Sequence, residues 1–215
     1  MTNTLYCFAE SGNAYKAALA LELAGVPWEA RFVDFFNGEA RGAAFRKINP
    51  MGEVPVLDAD GLILTQSGVI QDWVMETTGK LGGTSPADRR EVLRWTIFDN
   101  QKVSGMAGPL RFFMNFLPEE KRSADVIGFL TGRMKAALAV LEAELSARDW
   151  LACDQLTCAD ISCAGYLYYP EPFNFDRADY PAIDAWLTRI AATPGWKHPY
   201  DLLPAPTVGQ DDRKA

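Results

Sequence analysis

The sequence predicts two domains of different class: a mixed α/β domain over residues 1–78 and an all-helical domain over residues 87–203. Three observations carry that reading. Strand-like and helix-like periodicities alternate through the first third of the chain, and the strand signals then stop. The change coincides with GKLGGTSP (79–86), the segment richest in Gly, Ser and Pro and the natural linker. The chain has 215 residues, 48% hydrophobic and 23% charged, which is enough for one large or two small cores without a covalent staple.

The elements follow in order. Thr4–Phe8 is a run of β-formers, and Ser11-Gly12-Asn13 follows as a turn with helix-capping chemistry. Ala14–Ala24 is rich in Ala and Leu and is stopped by Gly25 and Pro27. Trp28–Phe35 lacks a helical period and reads as a second strand, and Phe45–Ile48 as a short helix ended by Asn49-Pro50. Glu53–Leu57 and Leu62–Thr65, joined through Asp58-Ala59-Asp60-Gly61, form an antiparallel hairpin. A helix from Ser67 to Glu76 closes the domain, with Val69, Ile70, Trp73 and Val74 on one face. Beyond the linker, Ala87–Phe116 and Ala124–Arg148 are helical. The second carries a stripe of Ile127, Leu130, Met134, Leu138, Leu141 and Leu145. Helices are also expected over Ala159–Tyr169, ahead of Pro170, and over Pro181–Ala192, with a surface or disordered tail at 204–215.

Composition excludes several function classes. A formal net charge of −7 does not suit counterion release from nucleic acid or anionic lipid, so neither is an expected partner. Cys7, Cys153, Cys158 and Cys163 form no C-x-x-C pair, and the sole histidine is His198. That set suits neither a metal site nor a dithiol. No stretch has the length of a membrane span, and the N-terminus has no signal-peptide pattern. The expectation is a cytoplasmic protein with reduced thiols.

Four places could carry chemistry. Pro55 interrupts a strand, which requires an edge position or a cis Val54-Pro55 bond, and a trans proline opening the strand is the simpler reading. Gln66-Ser67 stands between strand and helix, with Ser67 placed to cap the helix and its first-turn N–H groups suited to a carboxylate. Ser11 and Asn13 stand at the first strand-to-helix turn. There Ser11 either caps the helix or donates to a ligand's thiolate, the lone His198 giving little support to a serine nucleophile. Thr157-Cys158-Ala159-Asp160 has the form of a capping box and is structural.

Taken together, S-G-N-A-Y-K (11–16), N-P-M-G-E-V-P-V-L (49–57), Q-S (66–67) and L-T-C-A-D-I (156–161) resemble the cytosolic glutathione S-transferases over nearly the whole chain. The resemblance implies a thioredoxin-like N-terminal domain and an all-α C-terminal domain, with glutathione as co-substrate, no metal, and a homodimer. It makes Pro55 a cis-proline with Val54 offering its main chain to the cysteinyl part of glutathione. Gln66 and Ser67 would hold the γ-glutamyl amine and carboxylate, and Ser11 or Asn13 would meet the thiolate. The S-G-N-x-x-K turn is similar to the turn of bacterial Nu-class proteins, where glutathione disulfide chemistry is expected. The substrate is accordingly a small electrophile or a disulfide, with Met106, Arg111 and Phe112 either lining its pocket between the domains or packing as core. A third reading is a binding protein that uses the aromatic cluster Tyr166, Tyr168, Tyr169, Phe173 and Phe175, although core packing is the simpler use of these residues.

Overall fold

The computed structural model of the chain describes residues 3–205. It divides into two compact units, one formed by the chain up to Thr78 together with the segment from Lys197, the other by Gly79–Trp196.

In the first unit, β1 (Asn3–Cys7) leads into α1 (Gly12–Ala24) and then β2 (Trp28–Phe32). α1 buries Ala14, Tyr15, Ala17, Ala18, Leu19, Ala20 and Leu21 on all sides, as a helix at the centre of a domain must. Gly25 ends it in the left-handed conformation at φ 74°. β2 stops three residues short of the expected Phe35. The Glu39 carboxylate takes the Asp34 N–H at 2.7 Å, and Asp34 O takes the Glu39 N–H, which draws the chain out of the sheet. A 3-10 turn (Glu39–Arg41) and the short helix α2 (Ala43–Arg46) follow, and the 3-10 turn carried no sequence signal.

β3 (Val56–Ala59) and β4 (Leu62–Thr65) form the expected hairpin, though β3 starts after Pro55 rather than at Glu53. Ala59 pairs with Leu62, so the turn is the two residues Asp60 and Gly61, both at positive φ (56° and 89°), the conformation a tight hairpin requires. The sheet formed by the described residues has the order β2-β1-β3-β4, with β1 parallel to β2 and antiparallel to β3. α3 (Ser67–Thr78) packs on α1. A second cluster of Val33, Ala40, Phe45 and Val56 is flanked by Tyr6, Phe35, Ile48 and Val54.

The sequence reading carries the helical domain to residue 203, whereas the chain from Lys197 packs on α1. Tyr15 Oη donates to Lys197 O at 2.9 Å, Lys197 Nζ bonds Glu22 at 2.6 Å, and Ala9 N–H donates to Pro204 O at 3.1 Å. Of the expected tail at 204–215, residues 206–215 lie outside the described residues.

The second unit is helical throughout. Ser85 and Asp88 form a capping box before α4 (Pro86–Phe98), which continues through a π-helical turn (Asp99–Val103) into α5 (Ser104–Arg111) and a second π turn (Phe112–Phe116). The path expected as one helix over 87–116 is therefore continuous but twice widened. α6 (Ala124–Leu145) buries Leu130, Met134, Leu138, Leu141 and Leu145, with Ile127 half-buried at its open end. α7 (Cys158–Ala164) is shorter than expected, because Gly165 follows and the chain runs on to Tyr169 in i→i+3 turns. α8 (Pro181–Ala191) belongs to this unit, and α9 (Pro199–Leu202) to the first.

The capping box at α7 forms as the sequence indicates. Asp160 Oδ2 accepts from Thr157 N and Oγ1 at 2.9 Å, and Oδ1 accepts from Leu151 N at 2.9 Å and Trp186 Nε1 at 3.0 Å. The aromatic cluster packs as core, the simpler of its two readings: Tyr166, Tyr168, Tyr169 and Phe173 are buried, with Tyr168 Oη bonded to Leu187 O, and Phe175 is half-buried.

Candidate functional site

Strand register gathers the candidate residues of the first unit at one end of its sheet. Tyr6 pairs with Val56 and Val56 with Thr65. The chain leaving β1 toward Ser11, the chain entering β3 through Val54-Pro55, and the chain leaving β4 into Gln66-Ser67 thus lie side by side. The N-termini of α1 and α3 begin at the same end, and neither first turn contains an acidic residue to neutralise its dipole.

The Val54-Pro55 peptide bond is cis, as the resemblance implies and against the simpler trans reading of the local sequence. The trans reading rested on rarity alone, and local sequence does not encode the isomer. The Val54 N–H and C=O make no hydrogen bond among the described residues, so the main chain of this one residue stands open beside β3. The loop before it is held by Asn49, almost fully buried. Its Nδ2 donates to Glu53 O at 2.8 Å and its Oδ1 accepts from Met51 N at 3.1 Å. Gly52 sits at φ 68°, where a Cβ would meet Ala40 O at 3.0 Å.

Ser11 caps α1, its Oγ accepting from Ala14 N at 3.1 Å. A hydroxyl that accepts still has its own proton to donate, and no acceptor for it exists among the described residues. Capping and donation, the two readings of Ser11, are therefore compatible. Asn13 is half-buried, and its Oδ1 accepts from Lys16 Nζ at 3.0 Å.

Ser67 does not cap α3, contrary to the sequence reading. Gln66 O accepts from Val69 N and Ile70 N, so the cap is Gln66 and Ser67 is the first helical residue, buried at this end. Gln66 takes φ 72°, a conformation costly for a non-glycine residue. The Gln66 Nε2 group faces Met51 Sδ at 3.1 Å and Glu53 Oε2 at 3.4 Å, leaving Oε1 open. An ammonium group could be received there by Oε1 and the Glu53 carboxylate together, and a carboxylate by the Ser67 hydroxyl and the first N–H groups of α3.

Sequence reasoning missed Lys16, Asn49 and Glu53. Asn49 read as a helix stop before proline and Glu53 as a strand residue. Lys16 gave a usable signal, a lysine three residues after Asn13 and hence on the same helical face.

Met106, Arg111 and Phe112 belong to the second unit. Met106 and Phe112 are half-buried. Arg111 is 2% exposed, paired with Glu171 at 2.7 Å and stacked on Tyr169 with its guanidinium carbon 3.9 Å from the ring centroid. Those contacts are the geometry of a packed ion pair. All four cysteines are free thiols, and burial pushes Cys7 up to about 12. Among the described residues no group of three or more His, Cys, Asp or Glu could hold a metal ion, and no helix is long and apolar enough to cross a membrane.

A thioredoxin-like sheet with a cis-proline opposite a helix N-terminus, followed by an all-helical unit, defines a glutathione-transferase-type protein. Comparison with known proteins agrees along the chain. The family model for the glutathione S-transferase N-terminal domain matches residues 1–76, and that for the C-terminal domain matches residues 111–194. Glutathione S-transferase GstB of Escherichia coli K12 is 28% identical over 195 residues, covering 89% of this chain and 94% of GstB. A glutathione S-transferase structure from Pseudomonas fluorescens Pf-5 is 32% identical, with a TM-score of 0.85 over 92% of this chain and 98% of its own. A glutathione transferase from Burkholderia graminis, solved with two glutathione molecules bound per subunit, is 27% identical, with a TM-score of 0.83 over 97% and 90%. The chain belongs to the glutathione S-transferase family of enzymes.

Proposed function

We propose that the protein binds glutathione at this end of the sheet and ionises its thiol for attack on a small electrophile. The observation that carries the reading is a pair of uncommitted donors, the Ser11 hydroxyl and the Asn13 amide, at the N-terminus of α1, on the same sheet end as the open Val54 main chain. Val54 would hold the cysteinyl part, Gln66, Glu53 and Ser67 the γ-glutamyl end, and the donors would face the sulfur. Lowering a thiol pKa from ~8.5 to ~6.5 requires about 2.7 kcal/mol of preference for the thiolate. A hydrogen bond to a charged group contributes ~1.5–3 kcal/mol and a helix N-terminus ~0.3–1 kcal/mol, so two donors suffice.

A second reading, reduction of glutathione-containing disulfides at the same site, is favoured by the neighbour that holds two glutathione molecules per subunit. Both reactions begin from the same thiolate, and turnover of small disulfides against aryl halides separates them. Homodimerisation in the cytoplasm completes the proposal. Met51, Leu62, Ile63 and Val69 in the first unit and Leu93 and Ile97 in the second are apolar and exposed, as surfaces that a second copy covers would be.

The test is ultraviolet thiolate absorbance of bound glutathione as pH is raised, for wild type, Ser11→Ala and Asn13→Ala. A bound-thiol pKa well below that of free glutathione, moved back by either substitution, supports the reading. Absence of binding refutes it.

A further inference from the structure

Lys16 is fully buried within α1, among Ala14, Tyr15, Ala17 and Ala18. Lysine is almost never fully buried unless it is paired. On its own helix the pairing is with Asn13, whose Oδ1 accepts from Lys16 Nζ at 3.0 Å. α1 packs against α3, whose charged residues Asp72 and Glu76 are exposed, and against α9, where Asp201 is exposed.

The chemistry of this contact fixes a direction. An asparagine amide has an acceptor end and a donor end that differ little in shape, so an unrestrained amide can present either one. A lysine ammonium has three donors and no acceptor, so the end turned toward Lys16 must be Oδ1. The Nδ2 donors are then turned away from the lysine, and no described residue accepts from them. Ser11 needs no such restraint, because its hydroxyl keeps a rotatable proton while Oγ caps the helix.

We propose that Lys16 is a positioning residue of the glutathione site, locking the Asn13 amide so that Nδ2 donates to the thiolate and Oδ1 cannot face it. The inference rests on the glutathione reading above. It goes further by dividing the labour of the turn: Asn13 touches the sulfur, and Lys16 acts through Asn13. Loss of the lock lets the amide turn an acceptor toward an anion, which disfavours ionisation without removing any group that grips the peptide.

The experiment is a mutant cycle on the full-length protein, read as the bound-thiol pKa from ultraviolet thiolate absorbance and, separately, as affinity for S-methylglutathione, which has no thiol to ionise. Lys16→Met is expected to raise the thiol pKa by about one unit, a tenfold loss in ionisation. Asn13→Ala should do about the same, and the double substitution should add nothing to Asn13→Ala. S-methylglutathione affinity should stay within about twofold, and Lys16→Arg should restore part of the shift. An unchanged thiol pKa in Lys16→Met, or shifts that add in the double variant, overturns the role of Lys16. If Lys16→Met does not fold, Lys16→Gln decides the matter. Its neutral amide can meet Asn13 with either a donor or an acceptor and leaves the Asn13 amide unfixed, so its thiol pKa should exceed that of wild type, and an unchanged value overturns the proposal. A wild type that binds no S-methylglutathione, or leaves the glutathione thiol at its free value, refutes the underlying reading and this inference with it. A shifted wild type with an unshifted Lys16→Met refutes the inference alone.

Discussion

Replacing Asp160 tests how the second unit is held together. The carboxyl is fully buried and receives four hydrogen bonds, from Leu151 N, Thr157 N, Thr157 Oγ1 and Trp186 Nε1. It thereby ties the start of α7 to the loop after α6 and to α8. Burial pushes its pKa above the ordinary range, with the donors pulling the other way. In Asp160→Ala three buried N–H donors lose their acceptor, at ~1–3 kcal/mol each. Relief from burying the carboxyl offsets part of that sum, leaving a net loss of about 3–5 kcal/mol. Asp160→Asn keeps one acceptor oxygen for Leu151 and Trp186 but sets an amine against the Thr157 N–H, so about 1–3 kcal/mol is expected. Against a total of ~5–15 kcal/mol the alanine loss is large. Urea unfolding followed by far-ultraviolet circular dichroism reads both variants. An alanine variant within about 0.5 kcal/mol of wild type, or an asparagine variant as unstable as alanine, would show that the carboxylate is not the joint described.

Further predictions concern the first unit. Gln66→Ala should weaken glutathione binding about tenfold by titration calorimetry, corresponding to about 1.4 kcal/mol, and Glu53→Gln should weaken it less and in a salt-dependent way; full affinity in both variants would mean that the γ-glutamyl end lies elsewhere. Glu22 is held below its ordinary carboxyl value of 4.5, first by the Lys197 hydrogen bond. A depressed carboxyl stabilises above its unfolded pKa and loses that contribution as pH falls through the folded one. Wild type should therefore lose thermal stability more steeply than Glu22→Gln below about pH 4.5, and parallel pH profiles would contradict this. Cys7, raised to about 12 by burial, should stay unreactive toward a thiol reagent at about pH 8 until the protein is denatured. Half-buried Cys153, also raised, should react first but slowly, as mass spectrometry of modified peptides would reveal.

What the sequence made legible was whatever local physics decides. Asp60-Gly61 can hardly be anything but a hairpin turn, Gly25 ends its helix, and Thr157 with Asp160 caps the next one. The α/β and helical halves were readable because period two and period 3.6 leave different patterns. Features decided by distant partners were not readable. β2 ends early because Glu39 reaches back to Asp34, and the isomer of Val54-Pro55, set by its surroundings, was legible only through the family resemblance. The cap of α3 falls on Gln66 because β4 delivers that residue at positive φ. Lys16 on an Ala- and Leu-rich helix looks like a solvent-facing charge until packing encloses it.

The return of the chain from Lys197 onto α1 makes the first unit discontinuous in sequence. A fragment ending at Thr78 lacks the carbonyl that receives the Tyr15 hydroxyl and the lysine that holds Glu22. Exchange of this unit between relatives consequently needs two crossover points, after Thr78 and before Lys197, so that α1 keeps the strap it evolved with. Ala9, whose buried N–H binds Pro204 O, stands two residues before Ser11. Trimming the C-terminus past Pro204 would remove an acceptor at the threshold of the turn that carries the chemistry, so a deletion far along the gene would act on that turn.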